Sequence, residues 1–343
     1  MSGLWKQVLL PGPACPACAS TAGTGGRTVQ GTAGTGEELV RKIRTPESVR
    51  GRPGNRQPYY NGAAFVRPST SISMKRIHLF EFTDLPWYPD LFRRFQTDYL
   101  QLVASLGSGH KYLIPLFKRA MQSTHTNEIV DLCSGGAGPW IHLAEQLAQA
   151  GLPVNITLTD KYPHREFVQK QSATSHQRIK YLAEPVDAMN VPESLKGMRT
   201  LFEGFHHFKP EQAKSILQDA VKKRTAIGIF EASLKPPLGF ILLLLSPLIT
   251  TASYFFLTPF IKPRTFARFF WTYLIPVVPL ATSWDGVISL LRTYSPQELR
   301  ELADSSISND YTWEIGYAST GTPVFSFTYL VGYPIEKSQY SKI

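Results

Sequence analysis

Cysteine is scarce in this chain, and so is charge. Three cysteines in 343 residues cannot build a disulfide framework. Cys15 and Cys18 form a single CPAC with no second pair to complete a zinc site, and Cys133 stands far from both. No metal role is expected, and nothing argues against a reducing compartment. Charged residues make up 18% of the chain, against about 25% in ordinary soluble proteins. The deficit has a location. No charge falls within the 26 residues from Pro236 to Ile261, or within the 16 from Phe269 to Trp284. Positive excess is local too. Residues 1–73 hold nine Lys/Arg and three Asp/Glu, which leaves only +4 of the net +10 for the rest. That is too little for a nucleic-acid-binding body, so no nucleic acid partner is expected. A mildly basic body suits an anionic membrane surface.

The remaining pattern divides the chain into five stretches. Residues 1–73 contain eleven of the 25 glycines and few large apolar side chains. Such a segment cannot bury enough surface to offset its chain entropy, and it reads as a disordered leader or extension. Its Arg-rich, acid-poor character also fits an organelle transit peptide. A start at Met74 is a third reading. Residues 74–125 read as a helical cap: Phe92, Phe95, Tyr99, Leu102 and Leu106 share one helical face, and a second helix spans Tyr112 to Met121. From 126 to 235, short apolar runs alternate with helical ones. Strands separated by helices imply a parallel sheet covered on both faces. Residues 236–285 are the apolar insertion. Residues 286–335 resume the α/β pattern with a helix, SPQELRELADS, opened by a Ser295–Glu298 capping box. Two strands, YTWEIGYA and VFSFTYLVGY, then close the sheet as an antiparallel pair.

Chemistry concentrates at D-L-C-S-G-G-A-G, residues 131–138, between the first strand and a helix. Glycines there let a ligand approach the backbone, and the helix N-terminus favours its negative end. Asp160 closes the second strand, 25 residues after Gly135, where a carboxylate can accept both hydroxyls of a ribose. Asp187 follows the third strand and suits an adenine amino group. One such acid alone is more simply a helix cap; three at successive strand ends point to a nucleoside lying along one sheet edge. A nicotinamide-binding domain is the nearest rival, but its G-x-G-x-x-G spacing is absent.

Residues 128–232 resemble the class I S-adenosylmethionine-dependent methyltransferases. The turn is similar to that family's D-x-G-x-G-x-G, with Asp131 and Gly135 matching the acid and the central glycine. Cys133 and Ala137 stand where the family has its outer glycines. The resemblance implies a Rossmann-like seven-stranded α/β sheet, S-adenosylmethionine as cofactor, and cofactor contacts at Asp131, Gly135, Asp160 and Asp187. Ser134, Gly136, Gly138 and Ala188 complete the expected binding set. It does not identify the methyl acceptor.

Methyl transfer asks mainly for positioning, and for a base only where the acceptor must lose a proton. Candidates for that role are His206 and His207 after the fourth strand, Glu231 at the end of the fifth, and Asp285 beyond the insertion. The plainer reading of the two histidines is that they are ordinary strand-end residues. The first apolar run is long enough to cross a bilayer, which takes about 20 residues. A single crossing would divide one sheet between two sides of a membrane. Lys262, Arg264 and Arg268 form a basic loop between the two runs, expected to be accessible, and the second run is short and carries Pro276 and Pro279. Pro247 and Pro259 are expected to split the first run into short helices. A hairpin dipping into one leaflet therefore fits best, ahead of true spanning or burial within protein. The expected function is a membrane-associated methyltransferase, with its catalytic domain on the cytoplasmic side, acting on a lipid or hydrophobic small molecule. The alternatives are a protein or soluble acceptor, with the insertion only an anchor, and a catalytically silent scaffold.

Overall fold

The computed structural model of the chain describes residues 76–107, 109–163, 178–235, 238–306, 308 and 310–335. The leader 1–73 and its CPAC lie outside the described residues. Seven strands form one sheet: β1 Glu128–Asp131, β2 Asn155–Leu158, β3 Ile179–Tyr181, β4 Met198–Phe202, β5 Ile227–Leu234, β6 Tyr311–Ser319 and β7 Phe325–Pro334. Their order is β3-β2-β1-β4-β5-β7-β6. The first five are parallel, β7 runs against β5, and β6 pairs antiparallel with β7. This is the Rossmann-like seven-stranded sheet, with β7 alone reversed.

Strand alternation sends successive side chains to opposite faces. Ile129, Phe202 and Phe230 go to one face, under Phe117 of α2 (Ile114–Thr124) and Trp140 and Leu143 of α3 (Trp140–Gln149). Val130, Leu201 and Ile229 go to the other, under Ile216 and Leu217 of α4 (Pro210–Lys222). All five residues of β4 are buried, as expected of a central parallel strand.

A third cluster lies apart from the sheet cores. It joins Phe95 and Tyr99 of α1 (Asp90–Leu106) to Tyr254 of α5 (Leu238–Leu257) and Val278 of α6 (Val277–Arg292). Tyr99 and Tyr254 stack at 4.5 Å, and the Tyr254 hydroxyl donates to the Phe95 carbonyl at 3.0 Å. The cap is thus two things. The first helix packs on the insertion, while α2 packs on the sheet. Leu106, expected on the buried face, is 68% exposed at the helix end.

Three details of the insertion differ from the sequence reading. Pro247 does not divide the first run: α5 is a continuous 20-residue helix with the proline inside it. Proline at 247 removes the amide that would serve the Leu243 carbonyl, and the Ser246 hydroxyl donates to that carbonyl instead, at 2.8 Å. The break comes later, where the segment Phe266–Leu274 and α6 meet at 74° around Pro276. Arg268 is not part of an exposed basic loop. It is fully buried, paired with Asp98, and stacked 4.4 Å over Phe95. Helix α6 also runs straight through Asp285 to Arg292. At about 1.5 Å per residue α5 is about 30 Å long, matching a bilayer's hydrocarbon core. It is the one helix among the described residues that is long and apolar enough to cross a membrane, and little of it is buried. The last described helix, α7 (Pro296–Asp304), carries the expected capping box: Ser295 Oγ accepts from the Glu298 amide at 3.3 Å, and Glu298 accepts from the Ser295 amide at 2.9 Å.

Candidate functional site

The strand order places β1, β2 and β3 side by side, so the segments leaving their C-terminal ends share one edge of the sheet. Between β1 and β4 the order of connection reverses, the place where open α/β sheets bind ligands. The turn from β1 into α3 has left-handed backbone at Cys133 (φ 56°), Gly135 (φ 48°), Ala137 (φ 76°) and Gly138 (φ 47°). Left-handed geometry costs a non-glycine residue roughly 1–2 kcal/mol. Cys133 and Ala137, which are not glycines, both keep it. A Cβ added at Gly138 would meet nothing within 4 Å, so its backbone is open to approach. At Gly136 an added Cβ would lie 3.0 Å from Thr97 of α1, which shows how closely that helix covers the turn. Among the described residues no side chain caps the N-terminus of α3, and its positive end faces the turn.

Each expected cofactor residue has a defined place. The side chain of Asp131 is buried, and Thr200 Oγ1 donates to it at 2.6 Å. Burial pushes its carboxyl up to about 6, against the pull of the Thr200 and Ser134 hydroxyls. Ser134 ties the turn to the strand: its hydroxyl donates to the Asp131 carbonyl at 2.9 Å, and its amide to the Thr159 carbonyl at 2.9 Å. Asp160 accepts from the Gly135 amide at 3.0 Å and from the Tyr162 amide at 2.8 Å. Each carboxylate oxygen keeps a further lone pair for a hydroxyl donor. Asp187 accepts from the Met189 amide at 2.9 Å and pairs with Lys161 at 3.3 Å, while Ala188 is buried in the core beneath.

The expected catalytic residues form a second group. Loop residue Gly204 links it to the turn: a Cβ added there would lie 3.2 Å from the Cys133 side chain. His206 and His207 sit in a short 3-10 turn, Phe205–His207, after β4. Glu231 of β5 accepts from the Phe205 amide at 2.6 Å, from the His206 amide at 3.3 Å, and from His206 Nδ1 at 2.5 Å. In the tautomer that donates from Nδ1 to Glu231, the neutral His206 ring carries its lone pair at Nε2. Burial alone would raise Glu231, but the His206 imidazole and the Phe205 amide outweigh it and hold the carboxyl below its ordinary value. Asp285 stands differently. It accepts from the Phe82 amide at 2.7 Å, the Thr83 amide at 3.3 Å and Gln96 Nε2 at 3.2 Å, which pins the segment before α1.

Two residues absent from the sequence reading complete this group. Glu81 is 2% exposed, and its Oε1 lies 3.7 Å from His206 Nε2. Among the described residues His206 Nε2 has no hydrogen-bond partner, and Glu81 Oε1 meets only the Arg292 guanidinium. Burial pushes Glu81 up to about 7, against the lowering effects of His207 and Arg292. Arg292, also buried, reaches Glu81 at 3.0 Å and Asp84 at 2.5 Å, and Asp84 meets His207 Nδ1 at 2.8 Å. Arg76 crosses below and donates to the carbonyls of His206 and Phe208 at 2.7 and 2.9 Å. The only sequence signal for Glu81 was an acid inside an aromatic run, FEF. Glu81, His206 and His207 offer ligand atoms within 4.8 Å of one another, a spacing a metal ion could use. The Arg292 guanidinium already supplies positive charge at Glu81, so the arrangement favours protons over a cation.

No model of a known protein family matches this chain, and no curated protein sequence matches it. Solved structures with a similar fold do exist. Human N-acetylserotonin methyltransferase in complex with SAM is 14% identical, with a TM-score of 0.41 over 70% of this chain and 56% of that one. The plantazolicin methyltransferase BpumL in complex with SAH is 10% identical, with a TM-score of 0.42 over 72% of this chain and 96% of that one. The mitomycin 7-O-methyltransferase MmcR is 12% identical, with a TM-score of 0.41 over 74% and 61%. The chain thus spans little more than half the length of the human enzyme. These likenesses are too distant to carry an argument about chemistry, and the fold stands on the strand order.

Proposed function

We propose that this chain is a membrane-associated, S-adenosylmethionine-dependent methyltransferase acting on a hydrophobic small molecule or lipid. The observation that carries the proposal is the β1–α3 turn beside Asp131, Asp160 and Asp187. The turn keeps left-handed backbone even at residues that are not glycine. Strain held at such a position points to a constraint from function. A silent scaffold has no evident need to hold Cys133 and Ala137 in that geometry, which weighs against the scaffold reading.

The residues present fit the cofactor. Asp160 would accept the ribose hydroxyls, Asp187 would face the adenine, and the open backbone at Gly138 with the α3 N-terminus would take the carboxylate. When bound, S-adenosylmethionine supplies an electrophilic methyl group on sulfur. The chain's own part is to orient the acceptor and hold its proton. His206 would take that proton at Nε2, with Glu231 fixing the tautomer from the other side of the ring. Glu81, which burial keeps partly protonated at pH 7, can in that form donate to the acceptor oxygen.

The membrane reading draws on the insertion. Its exposed face is apolar from Phe240 through Leu244 and Leu248 to Phe256. Beyond it, exposed Lys262 and Arg264 stand between exposed Phe260 and Phe266, a mixture suited to an anionic lipid interface. The inner face of α5 packs on α1 and α6, so the helix would lie in one leaflet rather than cross alone.

Calorimetry with S-adenosylmethionine and S-adenosylhomocysteine on detergent-purified protein tests the central claim. Saturable binding of both supports it. No binding by folded protein refutes it and leaves the scaffold.

A further inference from the structure

A groove of about 460 Å³ lies between the segment before α1 and the start of α6. One wall is Phe82, Tyr88 and Phe92; the other is Val277, Leu280 and Ala281. Its size falls within the range of about 300–1,000 Å³ usual for ligand pockets. The surface it presents is almost wholly apolar. Trp87, Val277 and Leu280 form an exposed mouth, and Leu274 and Ile275 carry that apolar surface onward to the outside of the insertion. Phe82, Tyr88 and Ala281 make the inner end.

Two observations go beyond a greasy cleft. Tyr88 is 4% exposed, yet its hydroxyl has no hydrogen-bond partner among the described residues. A buried hydroxyl without a partner is costly, and one oxygen atom from a ligand would relieve it. The groove is also tied to the acid–base group. Phe82 lines it, while the preceding residue, Glu81, faces His206. The Phe82 amide is held by Asp285, one helical turn beyond Ala281.

We infer that this groove binds a single hydrocarbon chain belonging to the methyl acceptor, entered from the apolar face of the insertion. The acceptor is then a lipid-like molecule with one long unbranched chain and an oxygen near its head. Chain burial along the aromatic wall supplies the affinity, since apolar contact scales with the area removed from water. Tyr88 hydrogen-bonds the oxygen, and the strap carrying Glu81 places the head toward His206. The inference rests on the function proposed above only in naming the chain's owner as the methyl acceptor.

Photolabelling tests it without turnover. The full protein is bound to vesicles of phosphatidylcholine with phosphatidylglycerol and exposed to a sixteen-carbon alcohol carrying a terminal diazirine. Labelled peptides are then mapped by mass spectrometry. The expected result is saturable labelling around Trp87–Phe92 and Val277–Ala281, removed by excess unlabelled hexadecanol although vesicle lipid is already in excess. Ala281→Phe fills the inner end and should cut that labelling about tenfold, leaving labels on Phe240–Phe256 unchanged. Should Ala281→Phe fail to fold, Leu280→Trp at the exposed mouth gives the same reading. Tyr88→Phe should weaken the alcohol about threefold to tenfold, the span of one hydrogen bond, and leave a hexadecane competitor unaffected. Labels confined to the outer face of α5 overturn the inference. So does groove labelling that a folded filling variant does not reduce, or that hexadecanol does not compete, which would assign the groove to bulk lipid. A concentration-dependent dimer that blocks the label would assign it to a second copy. Cofactor binding is measured separately, so loss of the methyltransferase reading and loss of the chain site remain distinguishable.

Discussion

Two long helices flank β5 in the chain, and they are finished for different surroundings. Helix α4, before the strand, buries Ala213, Ile216, Leu217 and Ala220, and shows Glu211, Gln212, Ser215, Gln218 and Lys222 to solvent. Helix α5, after the strand, turns Tyr254 inward and shows Phe240, Leu244, Leu248 and Phe256. The first obeys the ordinary rule for a surface helix. The second breaks it for its whole length, and exposed apolar area on that scale marks an interaction surface. The same strand therefore joins a half of the molecule built for water to a half built for something else.

The largest effect should come from rewriting the outer face of α5. Leu244→Ser, Leu248→Ser and Phe256→Ser together remove three side chains, each contributing about 1.5–3 kcal/mol on transfer from water. Flotation with anionic vesicles should fall by more than about 100-fold by that measure. The melting temperature should hold, because all three side chains are exposed. Unchanged flotation would break the comparison and show that α5 is not what meets lipid.

Next in size is a pH effect confined to the polar half. Glu81 ionises near 7 in the folded chain and near 4.5 when unfolded. Between those values the unfolded state holds fewer protons, so folding stability falls as pH rises from about 4.5 to about 7 and then levels. The full span is roughly 3 kcal/mol. Glu81→Gln should remove that slope, so the variant gains on the native chain as pH rises. Chemical denaturation at pH 5 and pH 7.5 reads it; parallel slopes for the two proteins would show that Glu81 does not titrate in this window.

Much of the sheet was legible because its signals are local. Apolar runs bounded by turns marked the strands, and the Ser295–Glu298 pair marked α7 from two residues three apart. The places of the three acids in the fold were legible for the same reason: Asp131 ends a strand, and Asp160 and Asp187 each follow one. What could not be read was what depends on distant pairing. Glu81 and His206 are 125 positions apart, and nothing near Glu81 foretells that it seals an imidazole. Arg268 looked like an exposed cation beside Lys262 and Arg264 until Asp98 and Phe95 buried it. Pro247 looked like a helix breaker because the rule concerns the lost amide and not the neighbouring hydroxyl that can replace it.

On the water-facing half, Asp160→Ala should weaken S-adenosylmethionine binding about tenfold or more. A hydrogen bond to a charged group contributes roughly 1.5–3 kcal/mol. Flotation should not change, so this variant mirrors the α5 triple variant. Calorimetry checks the first half of the statement and flotation the second. A folded Asp160→Ala chain with native affinity would remove the ribose from this strand end.

The smallest effect sharpens the comparison at the level of single hydroxyls. Ser215 of α4 and Ser246 of α5 both donate to a carbonyl of the preceding turn, at 2.9 and 2.8 Å. Their consequences should differ. The Glu211 carbonyl lies four residues before Ser215, so the Ser215 amide serves it in the ordinary helical ladder, and the hydroxyl bond is an addition. The Leu243 carbonyl lies four residues before Pro247, which has no amide to give. There the Ser246 hydroxyl is the replacement. Removing a redundant bond changes little, whereas removing a sole partner leaves a carbonyl unsatisfied, costing about 1–3 kcal/mol where water is excluded. Ser215→Ala should therefore be within about 0.5 kcal/mol of neutral, as is usual for surface changes. Ser246→Ala should destabilise by about 1 kcal/mol and bring amide exchange in α5 forward around Leu243. Restoring the amide with Pro247→Ala in the Ser246→Ala background should recover the loss. If the double variant is no more stable than Ser246→Ala alone, the hydroxyl is not standing in for the proline's missing donor.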